Sequence, residues 1–110
     1  MGICYAKGIG TDKDEKKAFE WYLKSAENGY AIAQYNLGNC YRNGIGTDKN
    51  ETKAFEWYLK SAEGGNALAQ DNLGNCYKYG IGTDKNEAKA MNWYKKASDN
   101  GIKEAKNKLK

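Results

Sequence analysis

The stretch that decides the fold is AIAQYNLGNCYRNGIGTDKNETKAFEWYLKSAEGG, residues 31–65, because most of it is repeated along the chain. Residues 8–29 and 44–65 are identical at 19 of 22 positions. Tryptophan, cysteine and the start of the loop GIGTDK each recur every 36 residues: Trp21, Trp57 and Trp93; Cys4, Cys40 and Cys76; Gly8, Gly44 and Gly80. Self-similarity at a period of roughly 20–50 residues is typical of solenoids and other repeat arrays. The 110 residues hold three such periods and two residues more.

The second half of the repeated unit has the periodicity of an amphipathic helix, here named helix B. In the second unit, one stripe of this helix holds positions i, i+3, i+4, i+7 and i+8: Ala54, Trp57, Tyr58, Ser61 and Ala62. We expect this stripe, including the tryptophan, to be buried. The helix starts either at a capping box of Asp48 and Glu51 or at Asn50, and the sequence leaves both open. A glycine follows its last turn in each unit: Gly29, Gly65 and Gly101.

The first half of the unit predicts another helix, named helix A, with one buried side. In the second unit this side consists of Ala33, Leu37, Cys40, Tyr41 and Gly44. Gly38 and Gly74 fall in the middle of helix A, where glycine costs ~1 kcal/mol relative to alanine, so we expect a neighbouring backbone to approach closely there. Two helices alone cannot bury both stripes, whereas stacked units share a continuous core. The predicted fold is an all-α solenoid of about three 36-residue units.

The repeated string is more specific than its period. A-x-A-Q-x-x-L-G-x-x-Y-x-x-G-x-G, followed by K-A-x-x-W-Y-x-K, resembles the SEL-like repeat (SLR) family, a relative of the tetratricopeptide repeats, over essentially the whole chain. The resemblance implies a right-handed superhelix of antiparallel helix pairs that serves as an adaptor or scaffold for other proteins. It implies no family-wide catalytic residue. One departure is the threonine after each G-x-G, where the family usually carries valine: Thr11, Thr47 and Thr83.

Both ends of the chain depart from the repeat. The predicted divisions are a unit with a truncated first helix, two complete units and a C-terminal capping helix: 1–29, 30–65, 66–101 and 102–110. In the last segment Ile102, Ala105 and Leu109 keep core positions while lysines occupy most others, as the polar end of a solenoid requires. The first helix B carries Phe19 and Trp21 with little of helix A to cover them. We therefore expect self-association through the N-terminal end.

Composition and charge exclude several classes of function. Apolar residues make up 40% of the chain and charged residues 29%, which leaves no membrane-spanning run. There is no histidine, so histidine-based triads, general bases and metal ligands are excluded, and we expect no metal or cofactor. Residues 1–86 carry eleven basic and eleven acidic side chains, and residues 87–110 carry seven and three. The basic excess lies at one end, so we expect neither nucleic acid nor membrane as a partner.

Three features that could carry chemistry are interpreted as structural. Cysteines 36 residues apart in stacked units are too distant to pair, so we expect buried thiols and a cytoplasmic location. The GIGTDK loop lacks the residues of a P-loop or an EF-hand. The Trp-Tyr pairs are placed in the core rather than on a stacking platform. No catalytic residue is assigned, because a hydrolase like some bacterial cysteine-rich relatives would need Ser25, Ser61 or Thr47 to act with a lysine or carboxylate base.

The outer side of helix A is the candidate binding surface. The second and third units agree at almost every core position but differ on this side, for example at Tyr35 and Asp71; recognition or neutral drift would produce such variation. We predict a concave groove for a peptide or protein segment, lined by Tyr35, Asn39, Arg42, Asp71, Asn75, Lys78 and Tyr79. In it, Arg42 and Lys78 would meet carboxylates and Asp71 a base. The predicted function is a non-catalytic adaptor; the alternative is a structural or designed array without a dedicated partner.

Overall fold

The described part of the chain is built from α-helices alone. The computed structural model describes residues 12–108, with side chains from residue 14 onward. Within these residues it has six helices: α1 Asp12–Glu27, α2 Ala31–Asn43, α3 Glu51–Glu63, α4 Ala67–Tyr79, α5 Glu87–Asp99 and α6 Lys103–Lys108. The predicted all-α solenoid is confirmed. The truncated first helix A, Cys4 and Leu109 lie outside the described residues.

Short connections of two alternating lengths fold the helices into stacked pairs. Helices α1, α3 and α5 are helix B of the three units, and α2 and α4 are helix A of the second and third. Three residues follow each helix B and seven follow each of α2 and α4. Each helix packs mainly against its neighbours in the chain, and the molecule extends 42 × 25 × 24 Å. Such sequential packing is how repeat units bury a shared core.

The helix ends follow the repeated cap residues. Gly29, Gly65 and Gly101 all have positive φ values, 91°, 99° and 101°, as predicted for the end of helix B. Of the two starts left open, the structure selects the asparagine: the Lys53 backbone N–H donates to Asn50 Oδ1 over 3.0 Å. The first helix B differs, because α1 already begins at Asp12.

The loop between helix A and helix B contacts the preceding unit. Its second glycine has a positive φ in both described copies, 73° at Gly46 and 71° at Gly82. A Cβ at Gly82 would overlap the backbone carbonyl oxygen of Glu51, and one at Gly46 would overlap that of Glu15. Glycine is therefore required here both for the backbone conformation and for the close approach. Each loop rests on the first turns of the previous helix B and sets the spacing between units.

The core is made by alanines, leucines and tyrosines of both helices. Ala54, Tyr58 and Ser61 on α3 are completely buried, as is Leu37 on α2. The mid-helix glycine has a different role from the expected close approach of a backbone. A Cβ at Gly38 would lie 2.7 Å from Cδ1 and Cε1 of Tyr58, so the gap left by the glycine is filled by a tyrosine ring. The same arrangement joins Gly74 to Tyr94, with the corresponding distances at 2.6 Å.

The prediction that the tryptophans lie in the core is wrong for Trp21, whereas Trp57 and Trp93 pack against the core without being fully buried. Trp21 is 63% exposed, and Trp57 and Trp93 are only half-buried. Trp57 lines a surface depression together with Leu23 of the preceding helix B, and the Lys60 ammonium lies 4.8 Å from the centroid of its ring. Among the described residues no helix B precedes α1, so Trp21 lacks such a neighbour. In the second and third units the tryptophan lies at the edge of the core, whereas the adjacent tyrosine is fully buried within it.

Buried polar side chains tie the helices together. Gln34 Nε2 donates to the Ala26 carbonyl oxygen over 3.1 Å, which joins α2 to the end of the preceding helix B. Gln70 makes the same bond to Ala62 in the next unit. Each of these carbonyl oxygens also accepts from a glycine backbone N–H over 3.0 Å, Gly29 at Ala26 and Gly65 at Ala62, so the glutamine adds a second bond that links neighbouring helices. The repeated motif A-x-A-Q therefore has a packing function within this chain.

Candidate functional site

The predicted groove residues on α2 gather around the end of a core tyrosine. Tyr58 crosses the gap at Gly38, and its hydroxyl donates to Asn39 Oδ1 over 2.5 Å. The ring of Tyr35 lies against it with a centroid distance of 6.2 Å. Arg42 is the fourth member, because its positive charge lies close enough to the Tyr58 hydroxyl to lower the pKa of that group against the larger effect of burial. We name these four residues the Tyr58 cluster.

The third unit repeats this arrangement with different chemistry. The Tyr94 hydroxyl donates to Asn75 Oδ1 over 2.5 Å, just as Tyr58 does to Asn39. The position of Tyr35 is taken here by Asp71. Lys78 corresponds to Arg42 and lines an open depression of about 370 Å³ together with Tyr94 and four other residues: Glu87, Ala90, Met91 and Lys108. We name Asp71, Asn75, Lys78, Tyr94 and Lys108 the Tyr94 cluster.

Asp71 is not the free groove carboxylate that the sequence predicts. Asp71 is only 8% exposed, and both of its carboxylate oxygens accept hydrogen bonds from Lys108 Nζ, at 3.0 and 3.1 Å. The same ammonium lies 5.2 Å from the ring centroid of Tyr94. The segment predicted as a polar cap therefore supplies a lysine to the groove. Burying a carboxylate without such a partner would be costly, which explains the pairing.

The remaining two groove residues project outward at the end of α4. Tyr79 is 59% exposed, and the Lys78 ammonium lies 5.4 Å from the centroid of its ring. Lys78 itself is exposed. This pair is available to a partner at the edge of the Tyr94 cluster.

Both core tyrosines hold their protons at neutral pH. Burial raises the pKa of Tyr58 well above its usual range, an effect that the neighbouring Arg42 partly offsets. Burial, with a smaller contribution from the Asp71 carboxylate, raises the pKa of Tyr94 to about 12. The two hydroxyls therefore act as hydrogen-bond donors to Asn39 and Asn75, which fixes the orientation of both amides.

The cysteines in the described region are buried and free, as predicted. Cys40 is 3% exposed and Cys76 is completely buried, and neither forms a disulfide. Burial raises the pKa of each thiol to about 11. Since the thiolate is the reactive form, these two side chains are poor nucleophiles at neutral pH.

Ser61, one of the residues considered for catalysis, has a structural partner, and the described side chains form no cluster of the kind that holds a metal ion. The Ser61 hydroxyl is buried and donates to the Ala31 carbonyl oxygen over 2.6 Å, which ties α3 to the first turn of α2. Within residues 12–108, no three side chains of the metal-binding types come together. None of the helices in this region combines the length and apolar character that a bilayer crossing requires.

Sequence reasoning missed three residues that organise the site. Tyr58 and Tyr94 were assigned to the core stripe, which is correct for their rings but leaves out their hydroxyls. The only sequence signal for a role of these hydroxyls was that a tyrosine and an asparagine recur together in both units. Lys108 had no repeat-based signal, because it belongs to the segment that departs from the repeat.

One known family matches nearly the whole chain. The family model of the Sel1 repeat matches three times in succession, at residues 1–30, 31–66 and 67–102. A putative sel1-like repeat-containing protein of Acanthamoeba polyphaga mimivirus is 50% identical over 38 residues. That match covers 34% of this chain and 7% of the viral protein.

Solved structures share the architecture over almost the full length of the chain. A Sel1 repeat protein from Oxalobacter formigenes is 42% identical, with a TM-score of 0.87 over 98% of this chain and 44% of that one. A protective antigen of uropathogenic Escherichia coli with an SLR fold is 36% identical, with a TM-score of 0.88, and is spanned over 23% of its length. Cysteine-rich protein B of Helicobacter pylori is 26% identical, with a TM-score of 0.82, and is spanned over 82%. This chain therefore spans less than half of the first two structures.

Proposed function

Because this chain belongs to the Sel1 repeat family, whose members generally act as protein-interaction scaffolds, we propose that it binds a peptide or protein segment without catalysis. The binding surface is the groove along α2 and α4. The observation that carries the proposal is the recurrence of two polar clusters around Tyr58 and Tyr94, one repeat apart. Repeated sites at a fixed spacing suit an extended or helical segment that contacts successive units.

The groove supplies the kinds of contact that recognise a peptide. Tyr35 and Tyr79 offer aromatic surface, which is enriched at interface hot spots. Arg42 and Lys78 offer positive charge at equivalent positions of α2 and α4. The free, buried thiols of Cys40 and Cys76 support a location in a reducing compartment such as the cytoplasm. A groove that extends over only two repeats offers a small interface, so we expect modest affinity.

The proposal is tested by panning a library of random linear peptides against the protein. A triple variant, Tyr35→Ala, Arg42→Glu and Lys78→Glu, removes the aromatic and charged contacts of the groove. We expect the protein to enrich peptides that this variant no longer binds, because their contacts lie in the groove.

A matched control carries the same kinds of change at exposed positions elsewhere: Tyr30→Ala, Lys24→Glu and Lys95→Glu. Circular dichroism checks that both variants keep the helical fold. Enriched peptides that bind the two variants equally, or no enrichment at all, would contradict the proposal and favour an array without a dedicated partner.

We propose, second, that the protein self-associates through the end formed by α1. The supporting observation is the 63% exposure of Trp21, while Trp57 and Trp93 are half-buried against the core. Light scattering at increasing concentration is expected to show a rise in mass that Trp21→Ala reduces. A mass that stays monomeric at every concentration would refute this second proposal.

A further inference from the structure

The hydrogen-bonding capacity of the groove is biased toward donors. Asn39 Oδ1 already accepts from Tyr58, and Asn75 Oδ1 from Tyr94, each over 2.5 Å. An amide whose oxygen is engaged in this way presents its NH₂ group to other partners. The core tyrosines thus orient both asparagines so that they offer donors along the groove, one repeat apart.

The charged side chains that the groove offers to a partner are mainly positive. Asp71 is neutralised by Lys108, which contacts both carboxylate oxygens, so its negative charge is not offered to a partner. Arg42 and Lys78 remain as cations at equivalent positions of the two units. Glu87, which is exposed at the rim of the depression beside Lys78 and Lys108, is the carboxylate that opposes them there.

From these two observations we propose that the groove recognises an acidic peptide segment, rich in aspartate and glutamate. Its carboxylates pair with Arg42 and Lys78, and its backbone carbonyls accept hydrogen bonds from Asn39 and Asn75. This inference rests on the proposed function and specifies its partner. Charge-assisted hydrogen bonds to carboxylates are about twice as strong as neutral ones, so such a segment uses the available donors best.

Fluorescence anisotropy with three labelled probes tests the charge preference. The probes are peptides of equal length made of Glu and Gly, of Ser and Gly, and of Lys and Gly. The acidic probe is expected to bind about tenfold tighter than the serine probe, and more weakly as salt rises, because exposed charges are screened. Equal binding of the acidic and serine probes would overturn the proposal.

Single substitutions locate the interaction. Lys78→Glu is expected to weaken acidic-probe binding about tenfold, while the same change at Lys95, exposed on α5, alters it less than about twofold. Asp71→Asn is expected to strengthen binding, since it releases Lys108 from its partner. Equal weakening by Lys78→Glu and Lys95→Glu would mean attraction by net charge alone and would overturn the proposal.

The peptide library separates this inference from the function on which it rests. Groove-dependent peptides that carry a net negative charge support both. Groove-dependent peptides that are neutral or basic leave the binding function intact and overturn the acidic preference. An absence of groove-dependent peptides overturns the binding function and, with it, the inference.

Discussion

Gly82→Ala is expected to lower the free energy of unfolding by about 2–5 kcal/mol. An alanine in the left-handed region costs roughly 1–2 kcal/mol, and forcing extra atoms into a packed site costs roughly 1–3 more. Gly82 has φ 71°, and its added Cβ would overlap the Glu51 carbonyl oxygen at the start of α3. Because that oxygen belongs to the backbone of the neighbouring unit, the clash can be relieved only by moving the two units apart.

Gly65→Ala is the matched control for this substitution. Gly65 also has a positive φ, 99°, but a Cβ there would meet nothing within 4 Å. It therefore measures the conformational cost alone, about 1–2 kcal/mol. Urea unfolding followed by circular dichroism compares the two variants. Equal destabilisation would show that the contact between the loop and the preceding helix B contributes nothing.

Tyr58→Ala is expected to cost about 3–5 kcal/mol, whereas Trp21→Ala changes stability by less than about 1 kcal/mol. Tyr58 is completely buried over Gly38, so its loss leaves a cavity between α2 and α3. Trp21 is the larger side chain but is 63% exposed, and removing an exposed group creates no cavity. Urea unfolding of dilute protein gives both values without a contribution from association.

A third variant keeps this comparison informative if Tyr58→Ala does not fold. Tyr58→Phe retains the ring and removes only the hydroxyl that donates to Asn39, so we expect a loss of about 1 kcal/mol. We expect Tyr58→Ala to be the most destabilised of the three variants, Tyr58→Phe the next and Trp21→Ala the least. A loss at Trp21 as large as that at Tyr58 would restore the tryptophan to the core and contradict the structure.

The comparison of Trp21 with Tyr58 also marks a limit of helical periodicity. Trp21 on α1 and Tyr58 on α3 occupy positions i+3 and i+4 of the equivalent stripe, and the spacing alone assigns them equal burial. A stripe of five positions has some residues at the centre of the buried face and others at its edge. Which residue occupies the centre depends on the direction from which the neighbouring helix packs, and that direction is a property of the assembled units.

The candidate site divides in a similar way. The sequence identified the outer side of helix A, and the structure places Asn39 and Arg42 beside Tyr58 there. The sequence also identified Asp71 as a groove residue. Its pairing with Lys108, 37 residues later, could not be predicted, because such a contact depends on how α6 packs after α5.

The sequence by itself determined the architecture of this protein. A 36-residue period, two amphipathic stripes and glycines at fixed positions specify helix pairs that can bury their apolar sides only by stacking, since each of these signals is local or repeated. Only the tertiary structure decided that a tyrosine rather than a tryptophan fills the core, and that Lys108 neutralises Asp71. These outcomes depend on the distances between side chains on different helices, which arise only when the units pack together.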